Sequence, residues 1–179
     1  STEEELKLLD NVLATNRFVA LVTHKNEEKE KLQPSDLYQH GTASVVLQML
    51  RMPDNTAKML VQGISRIHIK EFTETKPFFK AKVDILQDVI DKDDVETEAL
   101  ATNAKNQFSR MVSASPHLPE ELKIVVVNID NPGRLSDLIS SHLNISVPEK
   151  QEILESTNVK ERLQKINTFI NNEMQVLEL

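Results

Sequence analysis

Apolar and polar residues follow two different rhythms along this chain, and the change from one to the other falls near residue 90. The chain opens helically. Thr2 followed by Glu5 is a capping-box pattern, and Leu6, Leu9, Val12 and Leu13 share one helical face, which predicts a helix to about Thr15. "RFVALVTH" reads as a strand that is apolar on both faces from Phe18 to Val22, and therefore as a central one. The charged run "KNEEKEKLQPSD" is a solvated loop. From Thr42 to Leu86 the period is two. Ala43, Val45, Leu47 and Met49 share one face, and beyond a "PDN" turn Ala57, Met59 and Val61 share another. Gly63 marks a bend before Ile67 and Ile69, and "PFFKAKVDIL" adds a strand with Phe79, Ala81, Val83 and Ile85 inward.

The second rhythm is helical. The acidic linker "VIDKDDVETE" leads into a helix striped by Leu100, Ala104, Phe108 and Met111. "LPEELKIVVVNI" starts another at Pro119, although its β-branched "IVVV" favours strand on propensity alone. Asn131 and Pro132 form an N-cap and first-turn pair, Ser146 with Glu149 caps a short helix, and Asn158 with Glu161 caps a long one. That last helix carries Val159, Leu163, Ile166, Ile170, Met174 and Leu177 at 3.6-residue spacing. The expected architecture is α+β: a sheet-rich unit over 1–90, then an all-helical unit over 91–179. "FINNEMQVLEL" keeps its rhythm to Leu179 and the chain opens without Met, which predicts a fragment of something longer.

Composition narrows the chemistry. The 179 residues contain no cysteine, which removes disulfides and thiolate catalysis. Three glycines, Gly41, Gly63 and Gly133, stand too far apart to build a phosphate-cradling loop. A formal charge of −7 opposes general nucleic-acid binding, and no apolar run approaches the ~20 residues of a membrane span. The five histidines lack metal-ligand spacing, with His24 and Glu27 the nearest to a pair, and "GIS" at 63–65 is only half of a nucleophile elbow. No catalytic residue and no metal site are expected.

The stretch "RMPDNTAKMLVQGISRIHIKEF" raises the question of a nucleic-acid surface. Base stacking needs aromatics between basic residues, and none occurs here before Phe72, so a scaffold is the better reading. More telling are apolar residues at polar positions. Leu60 sits between Lys58 and Gln62, and Phe78 shares parity with Lys80, Lys82 and Asp84. With Phe72 they are the candidate binding residues, because a contiguous exposed apolar patch marks a docking surface.

"LYQHGTASVVLQMLRMPDNTAKMLVQGISRIHI", from Leu37 to Ile69, resembles the N-terminal domain of Lon, the ATP-dependent protease. The resemblance is carried by Asp36-Leu37-Tyr38, Gly41-Thr42-Ala43, the Arg51-Met52-Pro53-Asp54 turn, Val61-Gln62-Gly63 and Arg66. "PFFKAKV" and the region Gly133 to Ile166 extend it over the whole chain. It implies a PUA-like, partly open β-barrel followed by a helical bundle with a long connector helix. It also implies a non-catalytic region of a cytoplasmic, hexameric serine protease that recognises and holds unfolded or damaged protein substrates and supports assembly. ATP and Mg²⁺ would belong to a separate ATPase module, with no cofactor, nucleic acid or membrane bound by this region. The family's opening apolar strand and Pro-Gly turn have no counterpart here, which would leave a sheet edge unpaired. The family's turn glycine is Asn55, which tolerates φ > 0. A stand-alone PUA-like RNA-binding protein is the alternative.

Overall fold

Period-two alternation in the first half builds four strands in the computed structural model, which describes residues 2–179. The chain divides into two compact units between Gln87 and Asp88, slightly before the expected boundary at 90. In the first, α1 (Glu3–Ala14) starts on the Thr2/Glu5 capping box, in which the Thr2 hydroxyl accepts from the Glu5 N–H and the Glu5 carboxylate accepts from the Thr2 N–H. Then come β1 (Phe18–His24), β2 (Leu37–Arg51), β3 (Ala57–Glu74) and β4 (Lys80–Leu86), paired antiparallel in the order β1-β2-β3-β4. Among the described residues β1 and β4 do not pair, so the sheet is open. Asn55 takes φ 60° in the β2–β3 turn, the conformation that an asparagine tolerates. There the Asp54 carboxylate accepts from the Thr56 hydroxyl at 2.6 Å and the Thr56 N–H at 3.0 Å.

Three expectations about faces are corrected. β1 is an edge strand rather than a central one, and Phe18 is 53% exposed. An apolar run shows that neither face is charged, but it does not supply a second neighbour; β1 pairs only with β2. Val45, Leu47 and Met49 do not share one face: Val45 lies opposite Gln62 and Met49 opposite Met59, on the two sides of the sheet. Leu47 is the extra residue of a β-bulge between Val46↔Val61 and Gln48↔Leu60, and Val46 is the fully buried side chain here. On β4, Val83 and Ile85 lie opposite the buried Ile69 and Ile67, hence on the same face, yet Ile85 is 68% exposed because the sheet ends there.

The second unit matches its caps. Asp94, Asn131, Ser146 and Asn158 each accept from a backbone N–H of the helix they begin: α2 (Val95–Ala114), α4 (Pro132–Ser141), α5 (Val147–Glu155) and α6 (Val159–Leu177). α3 (Glu121–Val127) is helical in spite of its β-branched run and buries Val126. Phe108 and Met111 of α2, Leu135 and Ile139 of α4, and Leu163, Ile166 and Ile170 of α6 form the centre of one core. The predicted α6 stripe is buried as far as Met174, while Leu177 is exposed.

The helical unit also contains a feature that apolar periodicity does not reveal. Arg162 on α6 is completely buried. Its guanidinium forms a charged pair with Asp88, reaches Asp137 at 3.3 Å and Ser136 Oγ at 3.1 Å, and donates from Nε to the Ser156 carbonyl at 2.9 Å. A Cβ on Gly133 would fall 2.2 Å from Asp88 Oδ2, so the carboxylate can take this place only because residue 133 has no side chain. Val89 then donates to the Thr157 carbonyl and accepts from the Val159 N–H, at 2.9 and 3.1 Å.

Candidate functional site

β2 and β3 are much longer than their neighbours. β1 pairs with β2 only up to Val45, and β4 pairs with β3 only from Arg66, so the hairpin between them continues as a two-stranded arm. Its base is held by Arg17, whose carbonyl accepts from the Val46 N–H at 2.8 Å and whose Nη1 donates to the Leu47 carbonyl at 3.3 Å. Arg51 on the arm pairs with Asp10 of α1.

Register assigns side chains to the faces of this arm. Leu60 lies opposite Gln48 and Leu50 opposite Lys58, so Leu50 and Leu60 are diagonal neighbours on one face, about 7–8 Å apart in backbone terms. The next row on that face runs Gln62, Val45, Phe18. Leu60 and Leu50 are 58% and 61% exposed, and Phe18 is also open to solvent. Met49 and Met59 face each other on the opposite side. Lys58 pairs in register with Leu50 and so shares this face with the two leucines. On this face Leu50, Leu60, Val45 and Phe18 are interleaved with Gln48, Lys58 and Gln62, and it offers contact area rather than chemistry.

Of the three candidate residues, only Leu60 lies on this arm. Phe72 is half-buried near the far end of β3, roughly 40 Å of strand away at about 3.3 Å per residue. Its ring meets Phe79 edge-on at 5.7 Å. Phe78 is corrected from surface to core: it is 8% exposed because it precedes β4, where strand parity does not apply, and the Lys80 ammonium stands 5.6 Å from its ring. The three do not form one site. Leu50 and Phe18 were missed as partners of Leu60; the readable signal was Leu50 sharing strand parity with the polar Gln48.

Metal chemistry finds no centre among the described residues. No three histidine, aspartate or glutamate side chains converge as metal ligands there. A groove of about 400 Å³ at the start of α2 is rimmed by Asp91, Asp93, Glu98 and Asp130. Its Asp94 is occupied structurally: the Thr97 hydroxyl at 2.8 Å, with the Glu96 N–H and the Lys160 ammonium, holds the carboxyl below the usual aspartate range. No helix is long and apolar enough to cross a membrane among the described residues.

The fold is therefore α+β, an open four-stranded sheet with an exposed apolar arm followed by a helical unit. Residues 1–172 match the family model of the ATP-dependent protease La (LON) substrate-binding domain. The Lon protease of Dictyoglomus thermophilum is 41% identical over 177 residues, which are 99% of this chain and 22% of that protein. The Lon protease of Desulfosudis oleivorans is 39% identical over 98% of this chain and 22% of the relative. The chain belongs to the LON substrate-binding domain family. It spans about a fifth of the length of the curated relatives it matches. The solved N-terminal domain of the Mycobacterium avium complex Lon protease has the same fold, with a TM-score of 0.75 at 19% identity over 96% of this chain and 87% of that one. A Lon N-terminal domain protein from Xanthomonas campestris follows at 0.60 and 13%, over 92% and 82%. Nothing in these comparisons supports the RNA-binding reading.

Proposed function

We propose that this chain is the non-catalytic, substrate-holding part of an ATP-dependent serine protease, and that it holds unfolded or damaged proteins on the apolar face of the β2–β3 arm. The observation that carries this reading is the exposed set Leu50, Leu60 and Phe18 on one sheet face of a chain in a substrate-binding family. Unfolded proteins share exposed apolar segments but no common sequence. An exposed apolar surface accommodates such variety, because apolar contact sets no requirement on sequence. Hydrolysis of ATP with Mg²⁺ and of peptide bonds would belong to other modules of a longer cytoplasmic, hexameric protein, whose assembly this region would support.

The test is capture of a permanently unfolded, fluorescently labelled model protein by the 179-residue chain. The double substitution Leu50→Ser/Leu60→Ser should weaken binding at least about tenfold, the equivalent of about 1.4 kcal/mol. Phe72→Ser and Lys92→Ser serve as controls away from the arm and should leave capture unchanged. Equal affinity for the double variant and the parent chain would remove the arm as the docking surface.

A further inference from the structure

The two edges of the β2–β3 arm are not equivalent. On the β2 side, Arg17 follows the strand past the end of its pairing with β1. The Arg17 carbonyl accepts from the Val46 N–H, and its Nη1 donates to the Leu47 carbonyl. The extra residue at Leu47 then bends that edge and breaks the regular spacing of its donors and acceptors. On the β3 side, Ala57 to Gly63 pair with β2 one after another with no extra residue, and β4 joins only at Arg66. The outer edge of this stretch pairs with no strand among the described residues, so alternate N–H and C=O groups point outward along it. Lys58, Met59, Leu60, Gln62 and Gly63 are all exposed.

Free edges are ordinarily blunted by charged side chains, proline or a bulge. β4 carries Lys80, Lys82 and Asp84 at alternate positions, and β1 shifts register between Val22 and His24. From Ala57 to Gly63 there is no proline, and Lys58 is the one charged residue. Leu60 lies in the middle of the stretch, which makes the edge continuous with the exposed apolar face. Main-chain donors and acceptors are what unfolded polypeptides have in common, and a regular edge is complementary to them whatever their sequence.

We propose that the β3 edge from Ala57 to Gly63 takes up an extended segment of an unfolded polypeptide as an added strand. In this role, which rests on the arm being the substrate-holding surface, main-chain hydrogen bonds supply the affinity. Leu60 favours apolar side chains at alternate positions of the segment, because side chains on one face of a sheet recur every second residue.

Amide hydrogen exchange of the 179-residue chain, with and without a labelled peptide, tests this mode. The peptide alternates leucine and serine between terminal lysines and is long enough to span the edge. The outward amides between Ala57 and Gly63, every other one, should slow when it binds. N-methylation of one alternate set of the peptide's nitrogens should weaken binding at least about tenfold, and methylation of the other set should leave it unchanged. Equal loss from both sets, or loss from neither, overturns strand addition. Capture that Leu60→Ser abolishes while the outward amides exchange as before also overturns it, and leaves the arm's apolar face as the holding surface. Outward amides that slow with rising protein concentration, without peptide, put a second copy on the edge and overturn it too. Failure of the chain to capture either this peptide or the unfolded model protein removes the underlying reading as well.

Discussion

The two units treat their apolar residues in opposite ways. In the helical unit, five helices enclose a single core in which Phe108, Met111, Leu135, Ile139, Leu163, Ile166 and Ile170 lose essentially all contact with water. In the sheet unit the buried set is thinner: Leu37, Val46, Ile67, Ile69 and Phe78 on or beside the strands, with Leu9 and Val12 of α1. Phe18, Leu50, Leu60, Ile64 and Ile85 remain exposed on the same sheet. An amphipathic helix can turn its one apolar stripe inward, whereas a sheet with two open edges has more apolar face than its own chain covers. The helical unit encloses its own core, and the sheet unit leaves apolar surface exposed.

The sharpest way to break this comparison is to attack the polar centre of the closed unit. Asp88→Ala leaves the Arg162 guanidinium buried without its main counter-charge and should cost about 3–5 kcal/mol. Because Asp88 keeps some solvent access, we expect the lower end. Urea denaturation followed by helical circular dichroism measures the loss, and the emission of Tyr38, the chain's one tyrosine, follows the sheet unit. If the Tyr38 transition shifts as far as the helical one, the two units are not separately stable. A pair of substitutions compares the two cores directly. Phe108→Ala should cost about 3–5 kcal/mol, and Phe78→Ala about 3 kcal/mol at the margin of the thinner core. A negligible cost at Phe78 would restore it as a surface residue.

Much of this contrast was readable in the sequence, and the parts that were not have physical causes. Helix starts were legible because a capping side chain acts within three residues of itself: Thr2, Asn131, Ser146 and Asn158 all accept the expected backbone N–H groups. Alternation located the strands but not their burial, since the bulge at Leu47 reverses parity and nothing local says that β1 and β4 are edges. Leu60 stood out because its neighbours on the same face are polar. Phe78 misled for the same reason, since parity was extended back before the start of β4. Arg162 was invisible: in a helix read for its apolar stripe, a buried arginine looks like an ordinary surface charge until Asp88 is seen beside it.

A smaller effect probes the open unit. Leu50→Ser and Leu60→Ser should each change stability by about 0.5 kcal/mol or less, since both side chains already face water. The same substitutions carry the predicted loss of substrate capture, so stability and binding separate on the arm. A loss of about 2–5 kcal/mol at either site would mean that the leucine is packed, and the arm would then be ordinary core.

The smallest effect concerns acid, and it compares a helix cap with a strand turn. Hydrogen bonding to the Thr97 hydroxyl, then to the Glu96 N–H and Lys160, lowers the Asp94 carboxyl below its ordinary value of 3.8. The Thr56 hydroxyl and N–H do the same for Asp54 in the β2–β3 turn. A folded-state pKa below the unfolded one means stability that is fully present above that ordinary value and lost as the pH falls through the folded one. Asp94→Asn keeps an oxygen to cap α2 but has no proton to gain. Denaturation midpoints between pH 6 and pH 3 should therefore fall less steeply for Asp94→Asn than for the parent chain in the helical signal. In the Tyr38 signal, Asp54→Asn should flatten the acid slope in the same sense. If both variants follow the parent curve, neither carboxylate contributes to folding, and their low pKa values belong to solvent-screened contacts alone.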